Sequence, residues 1–460
     1  MPTLSKKIRS LLTAYSKWKG SSINRNILGA AVIVAVFTGI AKIVLFAKEL
    51  TIAWQFGTLD LLDAFLIAYV VPSFAINWIA ESINAALIPA YVKAREQEGQ
   101  ISANDLYGAV MTLGIVFLTV CTGLIVVSAP VYLRILASGF SQEKLRLTLN
   151  LFYVVSPVII LSGITTIRGA VLNAGERFAV PALIPVVTPL MTIAFILIGA
   201  RALNIYSIAL SLVFGQSTEV FLLGLALKRH GVKRSPVRYS ADANLRQVIR
   251  QFLPLVAGAF FMGSTQLVDQ AMAASLPAGN VAVLNYGNKV ISFPLHIAAT
   301  AIGTSVLPYF SSVLARNDWR IARQILKRYL KLTFVIAVPA TLLLVHFSEP
   351  LVRLLLQRGA FNEQDTKIVA DVLAFGALHI PLYLGGILLV RLLSALRANH
   401  IIMWSAFLNM IVNITGNYLL MKIYGVVGIS FSTSIAYFVS FSMLLISVKI
   451  IFSRNRLNND

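Results

Sequence analysis

Between Ala41 and Tyr91 the chain reads AKIVLFAKELTIAWQFGTLDLLDAFLIAYVVPSFAINWIAESINAALIPAY, apolar enough for two bilayer passages yet carrying Lys42, Lys48, Glu49, Asp60, Asp63 and Glu81. A charge at the centre of a lipid-facing helix costs about 2.5–3.5 kcal/mol on insertion scales. These side chains are therefore expected to face protein or a water-filled cavity. The same pattern recurs along the chain, giving an intramembrane basic set of Lys42, Lys48, Arg168, Lys289 and Arg391 and an acidic set of Asp63, Glu81, Glu219, Asp269 and Asp371. A buried cation needs an anionic partner, either a carboxylate or a ligand phosphate. Gathered around one cavity, the five cations would bind a phosphate-bearing substrate, with Asp63, Glu81 and Asp269 as counter-charges and coupling groups when the site is empty.

Two other arrangements satisfy the same residues. Each cation can be neutralised by a nearby acid, Lys48 by Glu49 or Lys289 by Asp269, and Lys48 and Arg391 can extend their long stems to the membrane interface. Asn409, Asn413 and Asn417 recur every fourth residue on one helix face, a pattern that suits hydrogen bonding between helices better than substrate contact. His379, close to Pro381, reads as a packed, hydrogen-bonded histidine rather than a proton relay.

No catalytic set accompanies these charges: the sequence has no GxSxG, HExxH or Walker motif and no Cys/His metal cluster, and Cys121 is its single cysteine. An enzyme or an ATP-driven pump is not expected, nor is a metal site or a resident cofactor. A monovalent cation or the membrane potential is the expected source of coupling.

The elements that must position these residues follow from composition. Of 460 residues, 58% are hydrophobic and 12% charged, against about 25% charged in soluble domains. Apolar segments near twenty residues recur along the whole length, so the chain is expected to be an all-α integral membrane protein. About twelve transmembrane spans can be counted. The net charge of +21 would suggest nucleic acid in a soluble protein, but most of the basic residues sit in short loops between spans, so no nucleic-acid partner is expected.

The expected organisation is a basic amphipathic segment at 1–26, a six-helix lobe at 27–227, a basic linker at 228–250, a second six-helix lobe at 251–450 and a tail at 451–460. An even span count places both ends on one side, and the basic 228–250 and 316–331 loops mark that side as cytoplasmic. The halves repeat weakly: Leu87-Ile88-Pro89 matches Val306-Leu307-Pro308, and Arg168 follows Pro157 at nearly the distance that Arg391 follows Pro381. A parallel repeat is a transporter architecture with its site between the halves.

Three stretches carry a resemblance: residues 45–91, residues 266–312 (QLVDQAMAASLPAGNVAVLNYGNKVISFP … AIGTSVLPYFSS) and residues 354–366 (LLLQRGAFNEQDT). Through them the chain resembles the MurJ (MviN) lipid II flippase family of the multidrug/oligosaccharidyl-lipid/polysaccharide (MOP) exporter superfamily. The resemblance implies two six-helix lobes, MATE-like in fold, around a cationic cavity. It implies alternating access that moves a polyprenyl-diphosphate-linked saccharide across the bacterial cytoplasmic (inner) membrane, by a monomer among membrane lipids. By position, Lys42 and Lys48 stand where the family has arginines in its first span, Lys289 where it has one in its eighth, and Asp63, Glu81 and Asp269 match acidic positions.

The sequence also departs from the family. An arginine pair of the second span falls on Ile76 and Asn77, and the family's two further C-terminal spans are not expected here. The alternatives are a flippase for an exopolysaccharide repeat unit and a cation-coupled small-molecule exporter with an acidic cavity.

Overall fold

The computed structural model describes residues 23–232, 243–316, 318–396 and 398–457, and every regular element among them is helical. In order they are α1 (Ile23–Phe56), α2 (Asp60–Glu98), α3 (Gln100–Leu136), α4 (Gln142–Val155), α5 (Pro157–Ala174), α6 (Ala179–Leu183), α7 (Val187–Leu203) and α8 (Tyr206–Arg229). The second half holds α9 (Ala243–Ala274), α10 (Asn280–Ala315), α11 (Trp319–His346), α12 (Ser348–Leu356), α13 (Glu363–Ala377), α14 (Ile380–Ala395), α15 (Asn399–Tyr424) and α16 (Val426–Leu457). With α4–α5, α6–α7 and α13–α14 each taken as one interrupted passage, and the short α12 set aside, these make twelve passages. Eight of them are long and apolar enough to cross a membrane. The proposed amphipathic segment at 1–26 falls mostly outside the described residues, as do Lys233, Arg234 and Arg238 of the basic linker.

Interruptions fall where the sequence removes a helical donor. Pro157 opens α5 and Pro381 opens α14, and proline is tolerated in a first turn because its missing N–H has no intrahelical partner there. The fourth passage of each half is thus broken at corresponding points, as the repeated Pro…Arg spacing anticipates. One boundary matters for chemistry: α1 runs on to Phe56, so Lys48 and Glu49 sit within a helix.

Packing divides the molecule unevenly. One core joins both halves, including Ile52, Phe56 and Phe65 of α1 and α2, Phe152 of α4, Val281 and Tyr286 of α10, Val352 of α12 and Val372 of α13. Beyond it two cores are separate: one from α2, α3, α5 and α8, the other from α10, α11, α14 and α16. Helix α9 belongs to both halves. Its Leu245 and Val248 join the first of those separate cores, and it packs along α2 and against α15. The halves are therefore knit at the end carrying the α1–α2 turn and hold a cleft farther in.

Candidate functional site

The cleft lies where α1, α2, α7, α8, α9 and α10 converge, a cavity of about 210 Å³. Lys48 and Glu49 of α1 and Lys289 of α10 line it, with Tyr69, Ser73 and Asn77 of α2 and Gln266 and Gln270 of α9. Both lysines bond the same carboxylate oxygen. Lys48 Nζ lies 2.7 Å from Glu49 Oε1, and Lys289 Nζ donates to that same Oε1 from the other half of the molecule. Two cations on one carboxylate leave a net positive charge. The Lys289 side chain remains 39% exposed to the cleft while that of Glu49 is 10% exposed.

The structure brings Lys48 and Lys289 together as expected, but through Glu49, whose role the sequence reading gave only as a neighbour of Lys48. It does not bring the other three cations to them. Lys42 is exposed on α1 and does not line the cleft. Arg168 of α5 donates to the Val220 carbonyl of α8. Arg391 of α14 lines a different pocket.

Nor do the acids compensate these lysines. Asp269 is not the partner of Lys289. It accepts from Asn417 Nδ2 at 2.6 Å, and beside it Asn413 Nδ2 donates to Thr433 Oγ1 at 3.2 Å. Asn417 is fully buried and its Oδ1 has no partner; with Asp269, Asn413 and Thr433 it makes an oxygen-rich set in which the Asn417 and Asn413 amides donate to Asp269 and Thr433. No group of three or more His, Cys, Asp or Glu suited to a transition metal occurs among the described residues. The Glu81 side chain lies outside the described residues.

Asp63 does something the sequence did not foretell. Only 1% exposed, it accepts the backbone N–H of Gly279 at 2.7 Å and of Ala282 at 2.8 Å, the free amides at the start of α10. A carboxylate there is favoured by both the orphan donors and the helix dipole. Lys144 at the start of α4 completes the cluster, 3.1 Å from Asp63 and bonded also to Asp60. Around it, Thr58 Oγ1 donates to Asp365 Oδ1 at 2.5 Å, Tyr286 to the Gly57 carbonyl at 3.1 Å, and the Ala360 N–H to the Trp54 carbonyl at 2.8 Å.

Asp365 is itself fixed in a capping box with Asn362. Gly279 makes the close approach feasible: its φ of +89° disfavours any L side chain, and a Cβ there would sit 2.7 Å from the Thr58 carbonyl. The bonds of Asp63 to Gly279 and Ala282, of Thr58 to Asp365, of Tyr286 to Gly57 and of Ala360 to Trp54 join the two halves, so this end of the cleft is latched.

Glu219 is buried on α8, where it accepts from the Thr188 N–H at 3.1 Å and the Thr188 hydroxyl at 2.7 Å, and so caps the start of α7. His379 stacks on Tyr437 at 4.9 Å and bonds the Gly376 carbonyl, a packed histidine as read from the sequence.

Comparisons with known proteins agree with this geometry. A family profile described as Lipid II flippase MurJ matches residues 52–452. The probable lipid II flippase MurJ of Rickettsia prowazekii is 26% identical over 419 residues, spanning 90% of this chain and 82% of that protein. The lipid II flippase MurJ of Burkholderia cenocepacia is 25% identical, spanning 80% and 72%. Among solved structures, a lipid II flippase MurJ in an inward closed conformation superposes with a TM-score of 0.79 at 22% identity, over 93% of this chain and 90% of the other. An inward-facing MATE transporter of the MOP superfamily gives 0.76 at 14% identity, over 90% and 96%. With the profile covering most of the chain, and the fold shared with MurJ and MATE transporters, this protein belongs to the MurJ lipid II flippase family, a family of transporters and not of enzymes.

Proposed function

We propose that this chain moves a lipid-linked saccharide, lipid II being the substrate its family is named for, across the bacterial cytoplasmic membrane by alternating access. The observation that carries the reading is the pair of lysines, one from each half, sharing Glu49 at the cleft. A diphosphate offers both ammonium groups more acceptor oxygens than one carboxylate can, and it bridges the halves when it replaces Glu49. Arrival of substrate therefore changes the contact that couples the two bundles, which is the differential interaction a ligand needs to shift a conformational equilibrium.

The latched end is the periplasmic one in this reading. Three of its basic residues are paired in place, Lys144 by Asp60 and Asp63, Arg353 by Glu349 and Lys367 by Glu363. On the opposite side Arg316, Arg320, Arg323, Lys327, Arg328 and Lys331 meet only Asp318 along the sequence, the imbalance expected of a cytoplasmic face. Both termini are cytoplasmic on this assignment. The cleft is complete within one chain, which supports a monomer as the working unit. The oxygen set around Asp269 is the place for a coupling monovalent cation, remote in composition from the lysine site. When bound, such an ion would supply a positive charge that the membrane potential acts on, about 2.3 kcal/mol per 100 mV for each charge moved.

The test is complementation in cells depleted of their lipid II flippase, with wild type, Lys48→Ala and Lys289→Ala at matched membrane levels. Rescue by wild type and failure of both variants is the expected result. Rescue by all three would dismiss the lysine site, and no rescue by wild type would point to a different lipid-linked glycan.

A further inference from the structure

The two halves carry the same arginine in different surroundings. Arg168 follows the proline that opens α5, and Arg391 holds the corresponding place on α14. In the first half the guanidinium lies against α8, donating to the Val220 carbonyl, and Gly224 leaves the room: a Cβ there would stand 2.9 Å from Arg168 Nη1. In the second half the helix in that place is α16. Val220 and Gly224 lie fourteen and eighteen residues into α8, and Ser440 and Leu444 lie the same distances into α16. Leucine thus stands where glycine opened the notch, and Arg391 has no carbonyl to rest on.

Its guanidinium instead borders a pocket inside the second half, among α9, α14, α15 and α16, that shares no lining residue with the central cleft. Arg391 Nε is buried without a partner, and among the described residues the side chain makes no ion pair. No Asp or Glu lines this pocket. Asp269 is not among its lining residues and is committed to Asn417.

What does line the pocket is rich in donors: Ser405 and Ser440, whose hydroxyls meet at 2.6 Å, with Asn409, Thr265, Tyr383 and Tyr437. Tyr383 and Tyr437 are held edge-to-face at 5.5 Å and His379 stacks on Tyr437, so the aromatic wall is fixed in place. A half-buried cation with no counter-ion, its Nε shut off from water, gains when a ligand supplies the charge. A guanidinium fork pairs with two oxygens of an anion, and the surrounding hydroxyls and amide suit an anion with further acceptors to satisfy. A carboxylate has two oxygens and would leave those donors idle, whereas a phosphate ester has enough. The same wall carries Ile387, Val390 and Leu444, which fit the apolar neighbour of a lipid phosphate.

We propose that this pocket is a second, phosphate-binding site of the protein, built on Arg391 and taking the phosphate ester of a membrane lipid headgroup or a free phosphate. It needs nothing from the lysine site and stands or falls apart from it.

Purified full-length protein in a neutral detergent, with radiolabelled inorganic phosphate and, separately, phosphatidylglycerol in mixed micelles as probes, tests it. Wild type is expected to bind at least one probe, and Arg391→Gln to lose about tenfold or more in affinity, as loss of a charged hydrogen-bonding partner implies. Arg353→Gln, at an exposed arginine paired with Glu349 and outside both sites, is expected to bind as wild type does. Binding of phosphatidylglycerol identifies a lipid headgroup as the source, and binding of phosphate alone a free ion; either supports the site. Arg391→Lys and Asn409→Ala, each expected to weaken binding a few-fold, report on the same pocket should Arg391→Gln fail to purify as a monodisperse protein. The proposal is overturned by absence of binding for both probes, by undiminished binding in the Arg391 and Asn409 variants, or by an equal loss in Arg353→Gln.

Discussion

Glu49 holds the ammonium groups that a diphosphate would use, so removing its charge should strengthen binding of a pyrophosphate. Both lysines bond Oε1 of this one carboxylate. Their nitrogens therefore lie within about 5 Å of each other, and without the carboxylate they repel by roughly 3 kcal/mol at an effective dielectric constant of 20. An incoming dianion relieves that repulsion and meets no competitor. Glu49→Gln should bind inorganic pyrophosphate about ten- to a hundredfold more tightly than wild type, from a fraction of that repulsion together with one charged hydrogen bond no longer displaced. Lys289→Gln should bind it more weakly than wild type. Titration calorimetry on the purified proteins at fixed low ionic strength reads both. The gain should shrink as salt is raised, because the cleft is open to solvent and its charges are screened. Equal or weaker pyrophosphate binding by Glu49→Gln, with the protein folded, would refute the idea that carboxylate and substrate compete for the same lysines. In cells the same variant should transport poorly, since a site that binds its ligand too well in one state gains nothing in the next.

Three further outcomes follow from the latch and the oxygen set. Asp63→Ala removes the acceptor of the Gly279 and Ala282 amides, and with about 1.5–3 kcal/mol per charged hydrogen bond should raise the population opened at that end at least tenfold, read as faster maleimide labelling of a cysteine placed at Tyr286 in a Cys121→Ser background. Gly279→Ala should cost more stability than Gly231→Ala, by about 1 kcal/mol or more, because both have positive φ but only Gly279 would drive a Cβ into a neighbouring carbonyl; thermal unfolding of the two variants measures the difference. Sodium should raise the melting temperature of wild type and leave Asp269→Asn unmoved, a comparison made by scanning fluorimetry at constant ionic strength with choline as the control.

Much of the fold was legible because lipid leaves the backbone few options: apolar length and spacing alone gave the passages, and Pro157 and Pro381 gave the matching breaks. Lys48 and Lys289 were likewise recognisable as costly charges that had to meet something. What they meet was not. Glu49 next to Lys48 reads as a local pair, and only the fold brings Lys289 to the same oxygen from 240 positions away. Lys144 was not singled out in the sequence, yet it is buried against Asp63 and Asp60. Asp63 looked like a counter-charge for a lysine in the cleft, whereas its main partners are amides 216 and 219 positions along the chain. A backbone donor at a helix start carries no residue-type signature, which is why composition and spacing passed over it.

The core that spans α1, α2, α4, α10, α12 and α13 runs straight through the latched end. Parting the bundles there means wetting side chains such as Phe56, Phe361 and Val281, all nearly inaccessible at rest. An idle molecule is thus kept shut on that face by default, as tightly as a globular interior is kept dry. Leakage through the wall is suppressed whether or not cargo is present, and the burden of the cycle falls on whatever event makes that wetting tolerable.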